Sequence, residues 1–197
     1  MKTYDRAYFD RWYRRPAERV TTRTALERKV RMAIGVTEYL LGRPLRTVLD
    51  VGCGEASWYP IVRRLRRDAR YIGVDSSDYA LERFGAARNI RRGTLGSLGG
   101  MRLPRRLDLI VCADVLQYVD TPELVRGLRA IRRLLGGIAY IETFATEDGM
   151  IGDLDGWHER SAHEYRRLLH QAGLTQCAPY CYIDLDGLDS LNAFEHL

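Results

Sequence analysis

Val48-Leu49-Asp50-Val51-Gly52-Cys53-Gly54-Glu55-Ala56-Ser57 is the stretch on which the reading of this chain turns. Val48 to Val51 form a short apolar run of strand type, and two glycines follow at once. Beyond them Trp58, Ile61, Val62 and Leu65 recur at the i, i+3, i+4, i+7 spacing of a helix buried on one side. The segment therefore reads strand, glycine turn, helix. A glycine turn has no Cβ in the way, so its backbone can lie close against a bound molecule.

The same alternation continues toward the C-terminus. Tyr71 to Val74 is a second strand and Ser77 to Ala87 a second helix, with a weaker strand near Ile90 and a strong one over Leu107 to Cys112. Thr121 reads as a helix cap with Pro122 at the first helical position. That helix buries Leu124, Leu128, Ile131 and Leu135 and stops at Gly136-Gly137. Ile138 to Thr143 is the next strand. Ser161-Ala162-His163-Glu164 is a capping box whose helix ends at Gly173, and two final strands are expected between Gln176 and Phe194. Toward the N-terminus, Thr24-Ala25-Leu26-Glu27 reads as a capping box opening a helix that ends at Gly42 and Pro44. Before it Tyr4, Tyr8, Phe9, Trp12 and Tyr13 fall at helical spacing up to Pro16. Seven strands alternating with helices predict an α/β fold, a mostly parallel sheet with helices on both faces. Such sheets bind ligands at the carboxyl ends of their strands.

Composition narrows the class. With 197 residues, 46% of them hydrophobic, the chain reads as one globular domain spanning 1–197. It has no apolar run near the roughly 18 residues of a membrane span. Met1 to Arg6 carry charges with no apolar stretch behind them, so no signal peptide is read and the cytoplasm is the expected location. Of 31 basic residues only Lys2 and Lys29 are lysines, and the net charge is +5. The arginines are spread through amphipathic helices rather than gathered into a basic tail, which argues against a nucleic-acid partner. Cys53, Cys112, Cys177 and Cys181 lack zinc-site spacing, so no metal is expected.

Chemistry is read just after each strand. A dinucleotide fingerprint would place glycine at position 57, where this chain has Ser57. Asp50, at the start of the turn, suits a ligand that carries an ammonium and no pyrophosphate. Asp75, at the end of the second strand, suits the two hydroxyls of a ribose. Its other reading is a cap for the next helix, a task open to Ser76 and Ser77 as well.

In order along the chain, Val48–Gly54, Tyr71–Ser77, Leu107–Val119 and Arg133–Gly137 resemble the successive motifs of the class I S-adenosylmethionine-dependent methyltransferases, small-molecule branch. The resemblance runs from about Arg46 to Gly173. It implies a Rossmann-like core over 45–197 and an N-terminal helical cap over 1–44. It also implies S-adenosylmethionine as cofactor and S-adenosylhomocysteine as product. By the same resemblance Gly52, Cys53 and Gly54 would pack on the methionine part and Asp50 would act on its ammonium. Asp75 and Ser76 would hold the ribose, and Thr94 and Leu95 would meet adenine. Ala113 and Asp114 would lie under the sulfonium, with Tyr13 or Trp12 closing over it as an aromatic face attracts a cation. Three positions depart from the pattern. Ala56 replaces a third glycine, Thr94 an acid, and Tyr118 a histidine.

Methyl transfer needs alignment of the acceptor behind an already activated methyl. A general base is needed only where the acceptor must lose a proton. The candidates for that base are His158, in the glycine-bearing 145–160 loop beside Trp157, and Glu142 at the end of the fifth strand. The expected reaction is methylation of an oxygen or nitrogen on a small molecule. Nucleic-acid methylation is disfavoured because Asp114-Val115-Leu116-Gln117 stands where an Asn/Asp-Pro-Pro-aromatic stretch would be. A protein that binds the cofactor without catalysis remains an open alternative.

Overall fold

Strand β1 (Thr47–Val51) lies inside the sheet, third of its seven strands. The computed structural model describes residues 4–15, 21–149, 153–184 and 186. Its seven strands are β1, β2 (Arg70–Asp75), β3 (Ile90–Arg92), β4 (Leu107–Ala113), β5 (Leu135–Glu142), β6 (Leu174–Ala178) and β7 (Cys181–Asp184). They lie in the order β3-β2-β1-β4-β5-β7-β6. The first five are parallel, and β7 pairs antiparallel with both β5 and β6. The chain winds away from β1 in one direction and then, from β4, in the other. The crevice between the carboxyl ends of β1 and β4 is therefore the reversal point at which open α/β sheets bind ligands.

Side chains alternate across the sheet, and each face has its own core. Val48, Tyr71, Leu109, Val111 and Tyr140 pack with α2 (Arg23–Leu41) and α3 (Tyr59–Leu65), joined by Leu81 and Phe84 of α4 (Asp78–Arg88). Leu49, Val51, Ile110 and Ile141 pack with the 3-10 turn Leu95–Gly100, α5 (Thr121–Leu134) and α6 (Ala162–Gln171). The seven-stranded sheet with helices on both faces agrees with the expectation. Of the segment expected as a cap, α2 lies on the sheet itself, burying Val30, Ala33, Ile34 and Thr37 against β4 and β5. The short α1 (Arg6–Phe9) and the wide helical turn Asp10–Arg14 reach the carboxyl edge.

Several boundaries differ from the sequence reading. Thr22 caps α2, its hydroxyl accepting the Ala25 amide at 3.1 Å, so the helix begins before the Thr24 box. Asp120 caps α5 by accepting the Glu123 amide at 2.7 Å, which moves Pro122 to the second helical position. Gly136 and Gly137 do not stop that helix; they are already part of β5. They are glycines because β4 runs against them: a Cβ on Gly136 would meet the Arg106 backbone at 2.7 Å. The last two strands begin at Leu174 and Cys181, and the sequence from 187 onward lies outside the described residues.

A buried carboxylate ties the start of the sheet together. Asp108 on β4 receives both Arg43 Nη atoms, at 3.0 and 2.8 Å, and the amides of Arg46 and Thr47 at 2.7 and 3.2 Å. Burial opposes its ionisation, but Arg43 and the two amides outweigh burial and hold the carboxyl below its ordinary value. Asp108→Asn leaves these donors short of an acceptor, at a cost on the order of 2 kcal/mol, or roughly 4–8 °C in Tm for a chain of this size. Because the folded-state pKa is depressed, the stabilisation is present above about pH 4 and is lost as pH falls below it. Thermal unfolding of both proteins from pH 3 to 7 should show the gap closing at the acid end. A gap that stays constant with pH would contradict this role.

Candidate active site

The turn after β1 is held open by backbone geometry and tied to β2. Gly52 and Gly54 have φ of +66° and +52°, a region that side chains disfavour, and Ala56 follows at +55°. The Gly52 and Cys53 amides donate to Val74 O at 2.8 and 3.2 Å, and the Gly54 amide donates to Asp75 Oδ2 at 2.6 Å. Asp75 Oδ1 accepts the Ser77 amide at 2.8 Å, while Ser77 itself caps α4 by accepting the Ala80 amide. Asp75 thus accepts a backbone amide at each of its oxygens. Burial pushes its carboxyl up, against the Ser77, Gly54 and Ser76 amides.

The N-terminal segment is strapped over this turn. Phe9 is buried, 2.8 Å from where a Gly54 Cβ would stand, and its ring stacks on Tyr79 at 5.5 Å. Ser77 Oγ donates to Tyr4 O at 2.5 Å, and Arg14 pairs with Glu55. Beneath the strap is a cavity of about 300 Å³ lined by Gly52, Gly54, Asp75, Ser76, Thr94, Leu95, Ala113, Asp114 and Tyr13. A smaller compartment of about 50 Å³ adjoins it, sharing Tyr13, Gly52, Ala113 and Asp114 and adding Asp50, Cys53, Lys29 and Glu142.

Ala113 and Asp114 terminate β4, and Asp114 adopts φ +59° while its amide donates to Glu142 O at 2.9 Å. Left-handed backbone at a non-glycine residue costs of order 1 kcal/mol or more and gathers at functional sites. Asp114 Oδ1 is buried with no hydrogen-bond partner among the described residues. Burial and the nearby Glu142 push its carboxyl up to about 6, against Lys29. Asp50 accepts a hydrogen bond from the Tyr71 hydroxyl. Its carboxyl stands at about 7, raised by burial, relieved by Tyr71 and raised again by Asp75. Glu142 accepts from Lys29 Nζ at 2.5 Å and from the Tyr140 hydroxyl at 2.9 Å. Burial and the charges of Asp50 and Asp75 push the Cys53 thiol up, which leaves no thiolate for nucleophilic work.

All eleven residues expected at the cofactor line one or other compartment, and so does Glu142. His158 and Trp157 line neither. The loop after β5 folds back on itself, with Thr146 N donating to Arg160 O at 3.0 Å. Arg160 is pinned to Leu116 O and Val119 O, and the His158 amide donates to Gln117 O at 2.7 Å, leaving the imidazole in solvent. Its Gly152 lies outside the described residues. His158, expected as a base, is thus not brought to either compartment, whereas Glu142 is. Trp12 lines neither compartment; it carries Arg11 over its ring at 4.7 Å. The sequence reading did not place Tyr4, Tyr8, Val115, Tyr118, Glu123 or Lys29 in the site. Tyr4 and Tyr8, four apart on one helical face, carried a signal. So did Lys29, a lone lysine in an arginine-rich helix.

Residues 9–178 match the family described as a methyltransferase domain. The chain belongs to the class I S-adenosylmethionine-dependent methyltransferases. It is similar to an uncharacterized protein, syc1184_c, of a Synechococcus species, with 32% identity over 114 residues. That match covers 53% of this chain but only 26% of the relative, so the chain matches about a quarter of that protein's length. Among solved structures, a SAM-dependent methyltransferase from Archaeoglobus fulgidus superposes with a TM-score of 0.65 at 15% identity, covering 85% of this chain and 73% of that one. The sugar N-methyltransferase KedS8 from a Streptoalloteichus species gives 0.61 at 18% identity, over 79% and 86%. Likeness at these identities is one of fold.

The raised carboxyl of Asp50 has a consequence for stability. A folded-state pKa above the unfolded value makes ionisation favour unfolding, so the stability is full below about pH 4 and is lost as pH rises through about 7. Asp50→Asn should match wild type near pH 4 and exceed it above pH 8, by on the order of 2–4 kcal/mol. Denaturant titrations at the two pH values check this, and a variant less stable than wild type at pH 8 would contradict it.

Proposed function

We propose that the main cavity holds S-adenosylmethionine and that the chain transfers its methyl group to an oxygen or nitrogen of a small-molecule acceptor. The observation that carries the reading is the Gly54–Asp75 clamp: a left-handed glycine turn whose Gly52, Cys53 and Gly54 amides are spent on β2, closed by a carboxylate that faces the cavity and can receive a diol.

When bound, S-adenosylmethionine supplies a methyl group already activated on a cationic sulfur. The rest falls to the chain. Asp75 accepts the ribose hydroxyls, with Ser76 beside it, and Thr94 and Leu95 border the adenine. Gly52, Cys53 and Gly54 offer bare backbone to the methionine portion. Asp50 acts on its ammonium through water, held in place by Tyr71. Ala113, Asp114 and Tyr13 would border its sulfonium. The unpartnered Asp114 oxygen fits such a ligand, because a buried carboxylate is stabilised by a cation brought next to it. Glu142 is engaged by Lys29 and Tyr140 and acts as a wall of the smaller compartment, positioned by those contacts. The strap of α1 excludes water from the methyl, and alignment supplies much of the rate.

S-adenosylhomocysteine should raise the Tm of the wild-type chain, and NAD should not, since only a ligand of the native state stabilises it. Asp75→Ala removes charged hydrogen bonds worth about 1.5–3 kcal/mol, so its affinity for S-adenosylhomocysteine should fall on the order of tenfold or more. Calorimetry that finds wild-type affinity in Asp75→Ala would refute the ribose assignment. His158→Ala should leave both binding and turnover within about twofold of wild type, and a larger loss would return the imidazole to the site.

A further inference from the structure

The cavity has the wrong charge for the chain that encloses it. The protein carries a net charge of +5, yet Asp75, Asp114 and Glu123 line the main cavity and Asp50 and Glu142 the smaller one. Lys29 is the single cationic side chain among the lining residues, and it is spent on Glu142. S-adenosylmethionine offsets part of this, since its carboxylate cancels one of its two positive centres.

The uncharged part of the wall has a matching character. Tyr4, Tyr8, Tyr13 and Tyr118 all line the main cavity, three from the N-terminal strap and one from the turn after β4. The Tyr4 and Tyr8 rings meet edge to face at 4.9 Å, and the Tyr118 hydroxyl donates to Asp153 O at 2.8 Å. Burial raises the Tyr4, Tyr8 and Tyr118 phenols, and the nearby Asp153 carboxylate adds to it, so they stay neutral and present aromatic surface. Aromatic walls around a carboxylate are a chemistry that selects organic ammonium ions.

We propose that the acceptor is an amine, held as its ammonium form between Tyr8, Tyr118 and the Asp114 carboxylate in the part of the cavity that the cofactor leaves open, and that Asp114 takes the proton the amine must lose. This rests on the cofactor reading above. In the step, one N–H bond breaks and its proton passes to Asp114 Oδ1. The freed lone pair forms the N–C bond as the C–S bond breaks, and that bond's electron pair returns to sulfur, giving S-adenosylhomocysteine. The proton then leaves Asp114 for solvent. An alcohol of the same shape would meet the same wall without the charge that the wall is built to receive.

The test uses the full chain saturated with S-adenosylhomocysteine, with saturation checked by calorimetry on each variant. Tetramethylammonium and its neutral isostere 2,2-dimethylpropan-1-ol are then titrated in parallel. The expected result is at least tenfold tighter binding of the cation. Asp114→Asn and, as a second variant in a different element, Tyr8→Leu should each cut that preference by fivefold or more. Equal binding of the two probes, no binding of the cation, or a preference that survives both variants overturns the amine assignment while leaving the cofactor reading intact. A chain that takes up no S-adenosylhomocysteine overturns the cofactor reading and this one with it.

Discussion

The Asp75 carboxylate, bridging the amides of Gly54 and Ser77, is the contact on which the site depends. It locks the turn after β1 to the end of β2, so two strands that are only hydrogen-bonded neighbours in the sheet become one rigid edge. Three of the five residues from Gly52 to Ala56 have positive φ, which the two glycines adopt freely and Ala56 only at a cost in strain. Strain of this kind persists only where surroundings over-determine it. Here the surroundings are the Val74 carbonyl, the Asp75 carboxylate and the Phe9 ring pressed against Gly54. The N-terminal strap is thereby part of the turn's support as well as the roof of the cavity.

Charge is sorted in space to suit that edge. Arginines are used at the rim and the opposite end, where Arg43 meets Asp108, Arg66 meets Glu38 and Arg132 meets Asp184. The carboxylates at the carboxyl edge are left with few cations. Burial, reinforced by the neighbouring acids Asp75 and Glu142, raises the carboxyls of Asp50 and Asp114, a displacement common where a site is organised for a ligand rather than for stability. A cationic ligand relieves the cost, so binding and folding are coupled through these two groups.

The sheet and most of the cofactor side were legible in the sequence because local rules specify them. A left-handed turn needs glycine, a parallel strand reads as a short apolar run, and an acid after β2 has few other uses. What lay hidden depends on contacts between distant segments. Nothing local announces that Asp108 will meet Arg43, or that Gly136 and Gly137 serve β4 rather than stop α5. The placement of His158 outside both compartments was not legible because a glycine-bearing loop encodes its freedom and not its direction; the direction is set by Arg160 and Gln117, whose partners are far away in sequence. Thr22 displaced Thr24 as a cap because two threonines two positions apart offer equivalent hydroxyls, and sequence alone does not choose between them.

The most direct measurement is a crystal structure of the chain grown with S-adenosylhomocysteine. The ribose hydroxyls are expected within hydrogen-bond distance of Asp75, the adenine beside Thr94 and Leu95, and the sulfur above Asp114 under Tyr13. A ligand bound with its ribose away from Asp75, or an S-adenosylhomocysteine-saturated crystal with the cavity between β1 and β4 empty, would contradict the assignment of this site.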